Sequence, residues 1–191
     1  MLYSITRTLA WIVSKILFRF KLTGLENIPK KGAFILCANH ISWFDAVALA
    51  VFLKRRPRFM AKKELFKVPL FGWYLNSLGA YPIKRSAADM TAFRTTMNIL
   101  NDGGGLIIFS QGTRMKEFEN AKGGVALFAL KSGAPIIPAG IIGNYRFFSR
   151  MKIRFGEPIL MDEYKGKKVK TELIDEIMNN VVFQVSSLCK A

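Results

Sequence analysis

The sequence predicts a single α/β domain whose central, mostly parallel sheet is covered by helices and is preceded by an amphipathic helix. Short runs of Ile, Leu, Val and Phe alternate with longer segments of helical periodicity. Continuous apolar runs of this kind are typical of parallel strands that are buried on both faces. The chain has 191 residues and no internal repeat, linker or low-complexity segment, so it encodes one domain with a sizeable core.

The first segment, residues 2–20, has the spacing of an amphipathic helix. Its apolar residues recur every three or four positions, and Arg7, Lys15 and Arg19 lie off the apolar stripe. The basic residues and Trp11 favour a bilayer surface, while the same stripe would also suit packing on the domain's own core. We therefore predict a membrane-associating helix at 1–20 and an α/β domain, which carries the chemistry, at 21–191. The stripe consists of Leu2, Ile5, Leu9, Ile12, Val13, Ile16 and Phe20.

Gly24 and Pro29 end this first pattern, and strands and helices then alternate to the end of the chain. Runs rich in β-branched and aromatic residues predict strands at 33–38, 58–61, 80–84, 105–110, 135–143 and 152–159. The segments between them predict helices at 42–53, 64–79, 87–101, 123–131 and 168–189, the second of which is interrupted by proline.

The charge of the chain implies an anionic partner. Lys and Arg number 29 against 13 acidic residues, a formal charge of +16, which suits membrane lipid, nucleic acid or a phosphorylated substrate. The sequence lacks an RRM or zinc-finger signature, so we expect no specific nucleic-acid complex. It also lacks a run of about 18 apolar residues that would predict a transmembrane helix, and no small-residue cleavage site marks a signal peptide. Abundant apolar residues (51%) without a span favour a protein that lies on a bilayer.

The strongest candidate for chemistry is His40, the only histidine in the chain. It follows the strand at 33–38, and open α/β sheets bind ligands at the carboxyl ends of their strands. Asp45 could orient the imidazole if His40 lies in the turn and Asp45 in the first helical turn, so that the ring accepts a proton from an alcohol. Ser42 and Asp45 also match a capping box, which explains Asp45 without catalysis. Alternation along the strand puts Cys37 on the opposite face, in the core.

Basic residues follow three of the predicted strands. Lys62 and Lys63 lie in RFMAKKELF, Lys84 and Arg85 in GAYPIKR, and Arg114 in FSQGTR. Arg85 and Arg114 could approach the same sheet edge as His40, and arginine's planar group suits phosphate oxygens. Taken singly, each of these residues is also explained as a solvated surface charge.

Four blocks occur in a characteristic order: NHISWFD, AKKELFKVPLFG with GAYPIKR, FSQGTR, and KSGAPIIPAGI. In this order and spacing the sequence resembles the PlsC-type glycerolipid acyltransferases, best known as lysophosphatidic acid acyltransferases. The resemblance extends from about Gly24 to Gly143. It implies transfer of an acyl group from acyl-CoA or acyl carrier protein to lysophosphatidic acid, giving phosphatidic acid. It also implies no cofactor, no metal in the chemistry, and peripheral or monotopic attachment to the cytoplasmic leaflet of the cell membrane through anionic lipids.

The resemblance also implies site roles for the matching residues. His40 would be the general base on the glycerol hydroxyl, with Asp45 as its orienting partner and direct attack on the thioester. The acceptor phosphate would be bound by Lys62, with Lys63 as the alternative, and by Arg85 and Arg114. Asn39 supports the first block as a turn residue, and the remaining motif residues shape the turn before Arg114 and a substrate pocket. These are Gly112 and Thr113 for the turn, and Pro135 and Pro138 for the pocket.

Gln111 departs from the family pattern, which usually has Glu-Gly-Thr-Arg in the third block. Glutamine keeps the size and an acceptor oxygen but loses the negative charge. If that Glu serves only to hydrogen-bond the turn, activity survives; if its charge positions Arg114 or tunes His40, activity falls. The alternatives left by the sequence are therefore another lysophospholipid or glycerol 3-phosphate as acceptor, or a non-catalytic lipid-binding homologue.

Overall fold

The computed structural model of the chain describes residues 2–42, 44–83, 89–109 and 119–190. Within these ranges seven strands form one sheet. The strands are β1 (Arg19–Thr23), β2 (Phe34–Ala38), β3 (Pro57–Lys62), β4 (Ala80–Ile83), β5 (Gly105–Phe109), β6 (Ile136–Ile142) and β7 (Arg150–Phe155). The helices are α1 (Leu2–Leu17), α2 (Asp45–Phe52), α3 (Pro69–Leu78), α4 (Met90–Asn101), α5 (Glu119–Ser132) and α6 (Thr171–Lys190). Short 3-10 helices lie at Leu25–Asn27, Lys63–Lys67 and Asp162–Tyr164.

The strand order is β1-β7-β6-β2-β5-β3-β4. Strand β2 is parallel to both of its neighbours, β5 and β6, and β3 is parallel to β4 and β5. Strand β1 is parallel to β7, whereas β7 runs antiparallel to β6. The predicted mostly parallel α/β sheet is therefore confirmed.

The core has two layers, one on each face of the sheet. Alternate residues of β2 divide between them: Phe34, Leu36 and Ala38 pack with α2 and α3, while Ile35 and Cys37 pack with α4, α5 and α6. All five side chains of β2 are completely buried. An all-apolar strand between two apolar layers has no favourable position except the centre of a covered sheet.

The N-terminal helix is shorter than predicted and ends at Leu17. Residues 19–23, the first two of which the spacing assigns to the helix, form β1. The amide of Arg19 donates to the carbonyl of Ser149 (2.9 Å), and Phe20 and Leu22 pack on the core. The helical spacing of Phe20 was therefore misleading, because alternation in RFKLT fits a strand equally well over so few residues. The division of the chain at residue 20 stays a prediction.

The bounds of two other elements differ by a few residues from the predicted ones. Helix α2 begins at Asp45 instead of residue 42, because the Asp45 carboxylate accepts the amides of Ile41 and Ser42 and so holds the backbone before it in a turn. The predicted strand 152–159 ends at Phe155, after which the amide of Gly156 donates to Pro138 (2.8 Å) and Ile159 forms an isolated bridge with Ile136. No helix among the described residues is both long and apolar enough to cross a membrane.

Candidate active site

The candidate site lies at the carboxyl ends of the central parallel strands. Strand β2 ends at Ala38, β5 at Phe109 and β6 at Ile142, and because the three are parallel these ends share one edge of the sheet. Two residues after β2, His40 begins the connection to α2. The histidine therefore lies at the end of a strand, as predicted. Ligands of open α/β sheets bind at such an edge.

Asn39 fastens this connection to the neighbouring strand. Its side-chain amide donates to the carbonyl of Ile141 (2.9 Å), and its side-chain oxygen accepts from the amide of the same residue (2.7 Å). The side chain thus extends the pairing of β2 with β6 beyond the last backbone bond. This fixes the start of the turn and hence the position of His40.

His40 and Asp45 are in direct contact. Nδ1 of His40 lies 2.8 Å from Oδ2 of Asp45, and the aspartate side chain is completely buried, whereas the imidazole is 30% exposed. A carboxylate only accepts hydrogen bonds, so in the neutral imidazole Nδ1 carries the proton and Nε2 is left with its lone pair. A base of this kind, oriented through its far nitrogen, can take a proton from an alcohol.

The same carboxylate oxygen also organises the start of α2. Oδ2 of Asp45 accepts the amides of Ile41 (2.7 Å) and Ser42 (2.8 Å). The bond to Ser42 is one half of the predicted capping box. The other half is absent, because the Ser42 hydroxyl accepts from Phe44 (3.3 Å) and not from Asp45. Asp45 therefore fixes the turn and orients the imidazole with one oxygen, so the two explanations weighed for it coexist.

Two aromatic residues near His40 carried no signal in the sequence. The ring of Phe109, the last residue of β5, stacks on the imidazole with centroids 4.3 Å apart. Tyr145, in the loop after β6, has a buried hydroxyl. Burial raises the pKa of this hydroxyl well above its ordinary value, and the nearby Asp45 carboxylate raises it further. Both residues reach the site through strand pairing, which spacing along the chain does not reveal.

The residues expected to bind phosphate are only partly described. Lys62 is the last residue of β3, two strands from β2 or about 10 Å across the sheet. Its side chain is half exposed and its Nζ lies 3.8 Å from Oε2 of Glu64. Lys63 is exposed at the start of the following 3-10 helix. Arg85, Gln111, Gly112, Thr113 and Arg114 lie outside the described residues, and their predicted roles stay predictions.

The two prolines of the fourth block support the sheet. Pro138 is buried inside β6 opposite Cys37, and its carbonyl accepts from Gly156. Pro135 precedes β6, and its carbonyl accepts from the amide of Ile35 (2.9 Å). That position is at the amino end of β2 and β6, the edge opposite His40, so it does not favour the pocket role expected of Pro135.

The predicted position of Cys37 is confirmed, since it is fully buried on the face of β2 that packs against α4, α5 and α6. Among the described residues, no three or more His, Cys, Asp and Glu side chains group as metal ligands would.

Comparison with known proteins identifies the family. The sequence model of the family described as Acyltransferase matches residues 19–142, a range that contains Asn39, His40, Asp45 and Lys62. The chain is 32% identical over 159 residues to the 1-acyl-sn-glycerol-3-phosphate acyltransferase of Bacillus subtilis, with 80% of each protein covered. It is 34% identical over 164 residues to the Streptococcus pneumoniae enzyme of the same name, covering 82% of this chain and 61% of that protein.

A solved structure agrees with these relatives. The crystal structure of the 1-acyl-sn-glycerophosphate (LPA) acyltransferase PlsC from Thermotoga maritima superposes with a TM-score of 0.70 at 25% identity, covering 97% of this chain and 80% of that one. The match thus includes the sheet, the helices on both faces and the edge that carries His40 and Asp45. The chain belongs to the acyltransferase family, in its PlsC-type branch.

Proposed function

We propose that this protein transfers a fatty acyl group from an acyl thioester to the free hydroxyl of 1-acylglycerol 3-phosphate, which gives phosphatidic acid. The observation that carries the proposal is the 2.8 Å contact between His40 Nδ1 and Asp45 Oδ2 at the carboxyl edge of the sheet. The names of the Bacillus, Streptococcus and Thermotoga relatives support this acceptor. The donor is acyl-CoA or acyl carrier protein, and the reaction needs no cofactor.

The chemistry follows from the tautomer of the imidazole. Nε2 of His40 takes the proton of the acceptor hydroxyl while its oxygen attacks the thioester carbonyl, so that a C–O bond forms. The C–S bond then breaks, and the thiolate leaves with the proton that Nε2 returns. The Asp45 carboxylate stabilises the imidazolium between the two steps. Full burial of Cys37 on the opposite face of β2 supports direct attack without a covalent acyl-enzyme.

The acceptor phosphate supplies the geometry of the attack. Lys62, which ends β3 at the same edge as His40, would bind this phosphate together with Arg85 and Arg114, whose blocks follow β4 and β5 in the sequence. Fixing the phosphate converts the encounter of hydroxyl and imidazole into a positioned reaction.

We further propose that the protein lies on the cytoplasmic leaflet of the membrane. Helix α1 turns Ile5, Leu9 and Ile16 of its apolar stripe away from the domain, and each of them is more than 60% exposed. The inner face of the helix is held by Arg7, whose Nε donates to the carbonyl of Val51 (3.0 Å). An exposed apolar helix face flanked by Lys15 and Arg19 suits the headgroup region of anionic lipid.

The test is a donor-and-acceptor assay on purified protein in lipid vesicles. We expect thiol release from acyl-CoA or acyl carrier protein to depend on 1-acylglycerol 3-phosphate, and to fall with other lysophospholipids or glycerol 3-phosphate. Vesicle binding without thiol release would instead identify a lipid-binding homologue. Gln111→Glu belongs in the same assay, because a gain in rate would show that the missing negative charge contributes, and an unchanged rate that Gln111 serves only the turn.

A further inference from the structure

The two oxygens of the Asp45 carboxylate differ in their hydrogen bonding. Oδ2 accepts from His40, Ile41 and Ser42, whereas Oδ1 is buried and has no hydrogen-bond partner among the described residues. A buried carboxylate oxygen without a partner is costly, and such an oxygen in a functional site calls for a donor. The described residues just before α2 supply none, because the amides of Ile41 and Ser42 are directed at Oδ2 and that of Phe44 at the Ser42 hydroxyl.

A matching donor lies across the site on Tyr145. The Tyr145 hydroxyl is also buried and also lacks a hydrogen-bond partner in the described part of the chain. It is close enough to Asp45 for the carboxylate to add to the effect of burial in raising the pKa of the hydroxyl. A phenol that is kept protonated can only donate to an anion, and Asp45 is the anion beside it.

The loop holds Tyr145 in place at some cost to its backbone. Tyr145 has φ of 49°, a left-handed conformation that is unusual for a large side chain. Its ring packs edge-on against Phe18, with centroids 5.5 Å apart, and against Phe44 at 6.1 Å. Strained residues that persist in a fold gather at functional sites, and here the strain directs a ring between the end of α1 and the start of α2.

We propose that the Tyr145 hydroxyl donates a hydrogen bond to Oδ1 of Asp45 and is a positioning residue for the His40 base. The bond fixes the second oxygen of the carboxylate, so the plane of the group cannot rotate and Oδ2 stays directed at Nδ1. The hydroxyl also shares the charge of the carboxylate and so moderates its pull on the imidazolium. This inference rests on the proposed function for its catalytic meaning, but the contact itself does not depend on it.

The direction of the effect follows from the charge. Without the hydroxyl, the Asp45 carboxylate is less compensated and holds a protonated imidazole more strongly. Since the base must be neutral to act, the acidic limb of the pH–rate profile moves to higher pH in Tyr145→Phe. We also expect kcat to fall roughly 10-fold, less than the ~10²-fold that a full 1 Å displacement of a reacting group costs, with KM for the acceptor little changed.

The experiment compares Tyr145→Phe with Tyr81→Phe. Both changes remove a buried hydroxyl and keep the ring, but Tyr81 bonds Thr96 (2.7 Å) on the face that packs against α4, away from His40. Because His40 is the only histidine, NMR of histidine-labelled protein reports its imidazole alone. We expect Tyr145→Phe to change the chemical shift of the imidazole and to move its titration to higher pH. We expect Tyr81→Phe to lower thermal stability and to leave the chemical shift and the titration of the imidazole unchanged.

Wild-type kcat and an unmoved histidine signal in folded Tyr145→Phe would overturn the proposal. The same change in kcat and signal in both variants would also overturn it, because that result reports a general loss of packing. If the wild-type protein transfers no acyl group but Tyr145→Phe still shifts the histidine signal, the hydrogen bond stands and the proposed function fails. The two failures are therefore distinguishable.

Discussion

At the residue scale, Asp45 joins a structural task to the proposed chemical one. Its Oδ2 holds the amides of Ile41 and Ser42, which sets where α2 begins, and the same atom meets the imidazole of His40. The orientation of the base is thus tied to a turn of five residues. A turn this short leaves the imidazole and the carboxylate little freedom to move apart, so the start of the helix preorganises the pair.

Asp45→Asn separates these tasks from each other. The amide keeps the volume and one acceptor oxygen, but it removes the charge and favours the wrong imidazole tautomer, so we expect acyl transfer to fall by about 10³-fold or more. The control is Ser42→Ala, which removes only the bond to Phe44 and should cost about 0.5–1 kcal/mol of stability with the rate intact. The acyl-transfer rate and the thermal unfolding of both variants are measured. Equal losses of rate in Asp45→Asn and Ser42→Ala would show that Asp45 serves only to cap the helix.

The His40–Asp45 pair could be predicted because it is local. The five-residue spacing, the strand before it and the apolar helix after it are all contained in NHISWFD and its flanks. Tyr145 lies a hundred positions further along the chain and approaches Asp45 only because β6 pairs with β2. Nothing in GNYRFF marks its tyrosine, since the left-handed backbone and the buried hydroxyl arise from the tertiary fold.

At the element scale, the sheet gains an edge strand that helical periodicity had concealed. Residues 19–23 bond to β7 in parallel register from Arg19–Arg150 to Thr23–Arg154. The chain then turns sharply at Gly24, where φ is 74° and a Cβ would lie 1.9 Å from the carbonyl oxygen of Phe155. Only a glycine allows the backbone to pass the end of β7 this closely.

This close approach predicts that alanine at position 24 destabilises the protein more than alanine at position 32. Gly24→Ala combines a left-handed backbone with a backbone clash, so we expect a loss of about 3 kcal/mol or more. Gly32→Ala has a similar φ of 78° but open space around its Cβ, so about 1–2 kcal/mol is expected. At this chain length each kcal/mol lowers Tm by about 2–4 °C. Similar Tm values for the two variants would contradict the close packing of β1 on β7.

At the scale of the whole molecule, the proposed site and the proposed membrane surface are joined through α1. Its last residue, Leu17, accepts the amide of Phe148 (2.7 Å) in the loop that carries Tyr145. Phe147 and Phe148 are exposed beside this junction, as are Ile41 and Phe44 next to His40. The edge of the sheet that holds the base is therefore rimmed by apolar side chains, which suits an acceptor that arrives from a lipid layer.

The exposed stripe predicts how binding to vesicles will change. Replacing Ile5, Leu9 and Ile16 with Ser should weaken binding by at least about 10-fold, since each apolar side chain that enters lipid contributes about 1.5–3 kcal/mol. The control is Phe183→Ser, an equally exposed apolar residue on α6, on the other face of the sheet. High salt should weaken binding to vesicles containing phosphatidylglycerol. Equal loss in the triple variant and the control would rule out α1 as the contact.

The fold class was predictable because it depends on many residues at once. The apolar runs at 33–38, 105–110 and 135–143 are each typical of a strand covered on both faces, and the structure has a strand at all three within a residue or so of the predicted bounds. The direction in which α1 turns its stripe was not predictable, because the same spacing fits a core or a bilayer. In the structure, the hydrogen bond from Arg7 to the carbonyl of Val51 holds the polar face of α1 toward the domain.

The central claim is that the imidazole of His40 takes the proton from the acceptor hydroxyl. The most direct test is the rate of phosphatidic acid formation from a thioester and 1-acylglycerol 3-phosphate, compared between wild type and His40→Ala with Tm and vesicle binding measured alongside. We predict a loss of about 10³-fold or more, with fold and binding retained, because no other histidine exists in the chain to replace it. Phosphatidic acid formation at the wild-type rate by folded His40→Ala would contradict the account.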